Sequence, residues 1–137
     1  MKMPEKINSE LYAPCGINCI SCEDYLKENN PCSGCLISDR GKKKSALKCK
    51  IKGCYDKKKF KYCGRCSEFP CKLIKKQDKN SIKRYDFSTL ESAKRIQYMG
   101  IGKIIETDKT NWTCPECGGI ITYQKKKCSD CGFEKNI

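Results

Sequence analysis

Fourteen cysteines, most of them separated from the next by only two to four residues, and no histidine at all are what most constrain this chain. The chain has 137 residues, of which 38% are hydrophobic and 33% charged. Once the cysteines are set aside, the apolar remainder is a thin core for that length, so the fold needs staples. The absence of histidine removes the Ser-His-Asp and Cys-His machineries, histidine-ligated catalytic zinc and the Cys2His2 finger. No stretch approaches the run of apolar residues that spans a bilayer. Met1-Lys2-Met3-Pro4-Glu5-Lys6 is not followed by an apolar secretory core, so a cytoplasmic protein is expected. Clustered thiols in that compartment bind metal more often than they form disulfides.

The formal charge of +13 comes from 29 basic residues, only four of them arginine (Arg40, Arg65, Arg84 and Arg95). Lysine-rich solvated surface is the plain reading. The runs Lys42-Lys43-Lys44, Lys57-Lys58-Lys59 and Lys125-Lys126-Lys127 give the sharper one, an acidic protein or a nucleic acid as partner. Arginine, which forks onto bases and phosphates better than lysine, is scarce. A zinc ion held by four thiolates carries a net −2, so three such sites would reduce +13 to about +7.

The cysteines divide the chain. Residues 11–109 are expected to form a cysteine-rich metal-binding domain with short helices, whose cysteine-free spacer is 72–109. Residues 110–137 are expected to form a zinc ribbon. The fold class expected is a small, metal-stabilised α+β protein. In the spacer, Ser88-Thr89-Leu90-Glu91 spells a capping box, Leu90, Ala93, Ile96 and Met99 recur at helical spacing, and Gly100 stands where a terminating glycine would. Shorter helices are expected after Cys22, with Glu23 and Asp24 in the first turn, and over Cys71–Lys76 after Pro70. Ile101, Ile104 and Ile105 are placed under the helices.

The last four cysteines, Cys114, Cys117, Cys128 and Cys131, are spaced C-x2-C-x10-C-x2-C. Two thiolates three positions apart grip one ion when the chain turns in a tight knuckle. Gly118 and Gly132 supply positive φ and let backbone N–H groups approach sulfur. Ile120-Ile121-Thr122-Tyr123 reads as one strand of a β-hairpin, and Trp112 as a cover for the site. Four thiolates leave no open coordination position, so the site is expected to be structural, with zinc its ion and rubredoxin-like iron the alternative.

The other ten cysteines give two quartets, Cys19/Cys22/Cys32/Cys35 and Cys54/Cys63/Cys66/Cys71, with Cys15 and Cys49 able to replace a member of either. Three zinc sites result. Interleaved pairing is equally compatible with the spacing. An iron–sulfur (4Fe–4S) redox protein is the alternative, because four thiolates suit a cluster as well as zinc. Cys15-x3-Cys19-x2-Cys22 also spells the triad of radical S-adenosylmethionine enzymes, but the chain is too short for their barrel. Metal storage and thiol–disulfide exchange through Cys15 or Cys49 are weaker readings.

Leu11-Tyr12-Ala13-Pro14-Cys15-Gly16-Ile17-Asn18-Cys19, then Cys32-Ser33-Gly34-Cys35, then Cys63-Gly64-Arg65-Cys66-Ser67-Glu68-Phe69-Pro70-Cys71 together resemble the prokaryotic cysteine-rich family known as domain of unknown function 3795. The likeness is read over about residues 11–137. The chain spaces Cys15 and Cys19 by three residues where the family has two, and Cys66 and Cys71 by four. The resemblance implies metal binding and names no reaction. The function expected is that of a zinc-binding module, its metals mainly structural, serving as a binding or adaptor unit.

Overall fold

The computed structural model describes residues 1–42, 47–51 and 62–135. Cys54, the run Lys57–Lys59 and most of Lys42–Lys44 fall outside them. Among the described residues the chain is helix-rich. After a 3-10 turn at Ser9–Leu11 and another at Cys19–Ser21 come α1 (Glu23–Leu26), a 3-10 turn at Cys63–Arg65, α2 (Lys72–Tyr85), α3 (Thr89–Tyr98) and α4 (Ile101–Trp112). Among the described residues the β structure is limited to isolated bridges: Tyr12 with Asn18, Lys2 with Gly119, Thr113 with Ile120, Ile121 with Cys128, and Lys127 with Glu134. The expected β-hairpin and the β half of the α+β reading therefore do not appear as a sheet. Around the Ile121–Cys128 bridge Ser129 N donates to Ile120 O at 2.8 Å and Thr122 N to Lys127 O at 3.0 Å, so 120–122 and 127–129 pair in one antiparallel register, but the pairing ends within three residues where the chain turns.

Local chemistry sets the helix ends. Ser88 Oγ accepts from Glu91 N at 3.1 Å, as a capping box requires. The other half of the box is replaced by α2: Asp78 Oδ1 accepts from Leu90 N at 3.0 Å and from Ser88 Oγ at 2.6 Å. Gly100 is not a left-handed terminator. Its φ is −69°, and it is the N-cap of α4, because α3 leaves its last turn through extended Met99. The helix expected over Cys71–Lys76 runs on to Tyr85 and ends at left-handed Asp86 (φ 52°). There Lys126 Nζ donates to the carbonyls of Tyr85 (2.6 Å) and Asp86 (3.2 Å), placing a cation at the negative end of the helix.

The core has two connected parts. Ile7, Tyr12, Ile20, Tyr62, Ile96, Ile104 and Ile120 form one, and Ala13, Cys15, Cys19, Ile51, Ile74 and Ala93 the other. Burying an isoleucine contributes roughly 1.5–3 kcal/mol, so Ile20, Ile74, Ile96, Ile104 and Ile120, each at most 1% exposed, carry much of the stability. α3 is the hub. Two cysteine loops press their glycines onto its Ala93: an added Cβ would come within 2.8 Å of the Ala93 amide nitrogen at Gly16 and within 2.3 Å of the Ala93 carbonyl oxygen at Gly64. Cys63 N donates to Pro14 O at 2.7 Å, tying these loops together.

One buried polar network crosses the core. Arg95 of α3 holds Asp108 of α4 through two bonds, Nη1–Oδ1 2.7 Å and Nη2–Oδ2 3.1 Å. Tyr12 Oη donates to Asp108 Oδ2 at 2.7 Å. Burial pushes the Tyr12 phenol well above its ordinary range, with the Asp108 carboxylate second, so it remains a donor at any working pH.

Candidate metal centre

Cys114 follows directly from α4 through Thr113. The first knuckle closes when Gly118 N donates to Cys114 O at 2.9 Å, and the second when Gly132 N donates to Cys128 O at 3.1 Å. Gly118 and Gly132 adopt φ of 76° and 79°, the left-handed geometry expected of the residue after each second cysteine. The backbone N–H of Gly119 points at Cys117 Sγ (3.4 Å), and that of Asp130 at Cys128 Sγ (3.4 Å).

The four sulfurs of Cys114, Cys117, Cys128 and Cys131 lie within 4.8 Å of one another. Cys114 and Cys131 are 3.6 Å apart, Cys117 and Cys128 3.5 Å. A tetrahedral ion with metal–sulfur bonds near 2.3 Å sets sulfurs roughly 3.8 Å apart, so this quartet fits a metal ion. The Gly119 N–H, which favours the charged sulfur, lowers the Cys117 thiol to about 7. Trp112, Ile121 and Phe133 pack beside the quartet.

In the N-terminal block nine of the ten cysteines are described; Cys54, a member of the second sequence quartet, is not. No disulfide joins any of the thirteen described cysteines. Among the described residues no three sulfurs of the block are as close together as the terminal quartet. Instead Cys15, Cys19, Cys22, Cys32, Cys35 and Cys49 line one cavity of about 430 Å3. Cys15 and Cys19 are each 5% exposed. The Cys19 thiol is raised by its bond to Cys35 and then by burial, and that of Cys15 by burial and then by Cys35. Cys63 and Cys71 pack on the same core cluster, while Cys66 does not line the cavity.

The terminal segment reaches into this block. Tyr123 N donates to Ser21 O at 2.9 Å. Gln124 accepts from Glu23 N through Oε1 (3.1 Å) and donates from Nε2 to Cys22 Sγ (3.2 Å). Burial raises the Cys22 thiol and the Gln124 bond opposes that rise. Tyr123 stacks with Phe87 at 4.7 Å between ring centroids. Sequence reading gives no signal for Gln124, because nothing local marks a residue that bonds a cysteine more than a hundred positions away.

The basic run Lys125-Lys126-Lys127 is engaged internally. Lys125 pairs with Glu23 (3.6 Å), Lys126 caps α2, and Lys127 pairs with Glu134 (3.2 Å).

Residues 11–76 match the family model described as Protein of unknown function (DUF3795). Over those residues the chain is similar to the DUF3795 family. The matched span contains all ten cysteines of the block and ends inside α2. The likeness read over residues 11–137 is thus matched over its first half, and the terminal quartet lies beyond it. No curated protein and no solved structure matches the chain. No described helix is long and apolar enough to cross a membrane.

Proposed function

We propose that this is a zinc-binding protein whose terminal ion is structural and whose role is that of a binding or adaptor module. The observation that carries this is the closure of the Cys114/Cys117/Cys128/Cys131 quartet. Four thiolates complete a tetrahedron, backbone N–H groups brace two of the sulfurs, and no position is left for water or substrate. The ion's work is then to fold the segment from Thr113 to Lys135, which in turn seats Tyr123 and Gln124 on the cysteine-rich block. Zinc is the ion of choice for four thiolates in a permanent site.

Elemental analysis of reduced protein tests this, with at least one zinc per chain expected and Cys117→Ser losing it. A chelator under reducing conditions should unfold the cysteine-rich block as well. Native chemical-shift dispersion that survives complete metal removal would overturn the structural role. A partner is more favourably a protein than a nucleic acid. The terminal lysine run is spent on Glu23, Glu134 and the end of α2, and thiolate–metal sites lower the net charge.

A further inference from the structure

Two different arrangements of sulfur occur in this molecule. In the terminal quartet the sulfurs surround a point. In the block, six cysteines surround a space of about 430 Å3. A single tetrahedral ion needs all its sulfurs within about 4 Å of one another, and no three described sulfurs of the block meet that closely. A polynuclear cluster has the opposite requirement. Each thiolate binds its own iron, so the sulfurs must stand apart around a filled centre.

The wall is charged for such a centre. Lys42, Lys48, Lys50, Lys76 and Arg84 line it, with Asp24 the one carboxylate among the described lining residues. The Lys42 side chain is 2% exposed and donates to the Cys35 carbonyl at 3.2 Å. Gln124 supplies an N–H to Cys22 Sγ, the kind of bond that tunes cluster sulfurs. Assembly from two ferrous ions, two ferric ions, four sulfides and four thiolates leaves a net charge of −2. The thiol protons pass to solvent, and the surrounding cations offset the negative charge.

We infer that the cavity houses one 4Fe–4S cluster held by Cys15, Cys19, Cys22 and Cys35, with Cys32 and Cys49 on the wall as bystanders. Cys35 is the fourth ligand because it packs against the buried Cys15 and Cys19, as Cys32 does not, and cluster binding would part the Cys19 and Cys35 sulfurs around the centre. Cys15 takes the place that spacing alone assigned to Cys32. This deepens the metal–thiolate reading of the block and does not depend on zinc in the terminal quartet.

The test is iron, acid-labile sulfide and zinc analysis of the full chain, purified without oxygen and also after reconstitution with iron and sulfide, together with its visible spectrum. About four irons and four sulfides per chain and broad visible absorption are expected. Cys15→Ser and Cys35→Ser should lower cluster content at least roughly ten-fold, while Cys32→Ser retains it and Cys131→Ser loses only zinc. Far-UV circular dichroism checks the helices of each variant. If Cys15→Ser does not fold, wild type and Cys32→Ser still decide. A wild type without iron and sulfide after reconstitution overturns the inference, while one zinc per chain would leave the terminal site standing. Loss of the cluster in helical Cys32→Ser overturns the ligand set.

Discussion

Gln124 Nε2 donates to Cys22 Sγ at 3.2 Å, joining two residues 102 positions apart in the chain. The same amide accepts from Glu23 N at the start of α1. One side chain therefore fastens the terminal segment to the cysteine-rich block and satisfies a half-buried backbone donor. Gln124→Ala should lower stability by about 1–3 kcal/mol, since two hydrogen bonds are lost and a donor is left unpaired. Equilibrium denaturant unfolding measures it. A midpoint unchanged from wild type would show that the contact carries no load.

Gly64→Ala and Gly16→Ala should both be strongly destabilising, for reasons that differ. At Gly64 the new methyl would stand 2.3 Å from the Ala93 carbonyl oxygen, which is helical backbone and cannot yield. At Gly16 the contacts are near 2.8 Å and φ is 89°, so strain adds to the clash. Each is expected to cost about 2–4 kcal/mol. Gly102→Ala is the control: nothing lies within 4 Å of its added Cβ, and in the first turn of α4 the change should stabilise by about 0.4–1 kcal/mol, chiefly by restricting the unfolded chain. Thermal melts of the three variants should separate them cleanly.

Asp108→Ala should cost about 3–5 kcal/mol, because it leaves the Arg95 guanidinium and the Tyr12 hydroxyl facing each other without their acceptor. Arg95→Met with Asp108→Leu, which removes both charges, should recover part of that loss. Chemical denaturation of the single and double variants reads the difference. A double variant as unstable as the single would mean that packing, not the uncompensated charge, sets the cost.

The terminal thiols report whether the segment folds without its ion, because the knuckle geometry sets their pKa values apart. Cys117 is lowered to about 7 from an ordinary value of 9.0 by the Gly119 N–H. Cys131 is pushed up to about 12: the Phe133 N–H, the largest single effect, lowers it, and the bonds to Cys117, Cys114 and Cys128 together with burial outweigh that. A lowered folded value stabilises the fold above the unfolded pKa, and that contribution fades as pH falls through about 7. For Cys131 the sign is reversed, with the contribution complete below the ordinary value and fading as pH rises toward 12. In reduced, metal-free protein, where the segment is unfolded, alkylation followed by peptide mass spectrometry should show Cys117 and Cys131 reacting alike. Half-maximal reaction of Cys117 near pH 7 with Cys131 far later would show the knuckles folded without metal and would contradict the ion's structural role.

What the sequence made legible was local. The start of α3 follows from Ser88 and Glu91, which are three residues apart, and the knuckle geometry follows from Gly118 and Gly132. The terminal quartet follows from its spacing. Each needs only neighbours along the chain. The length of α2 was not legible, because its lysine-rich last turns gain their partner from Lys126. Gly100 was misread because a glycine after a helix and a glycine before one look alike in sequence. Ile120 to Tyr123 has the composition of a strand, yet its residues are buried against several separate segments. Six block cysteines up to 34 positions apart, from Cys15 to Cys49, line one cavity, and pairwise spacing holds no information about that.

The Lys126 cap on α2 has a consequence for synthesis. A ribosome delivers Tyr85 well before the lysine that finishes its helix, which comes 41 residues later. Until then the last carbonyls of α2 have only water, and the sulfur of Cys22 lacks its amide donor. The emerging chain thus holds an incomplete cysteine-rich block for the whole time that α3 and α4 are being made. In that interval Tyr123, which lines the cysteine cavity, and Gln124, which bonds Cys22, are still to come, so the terminal segment completes the block last.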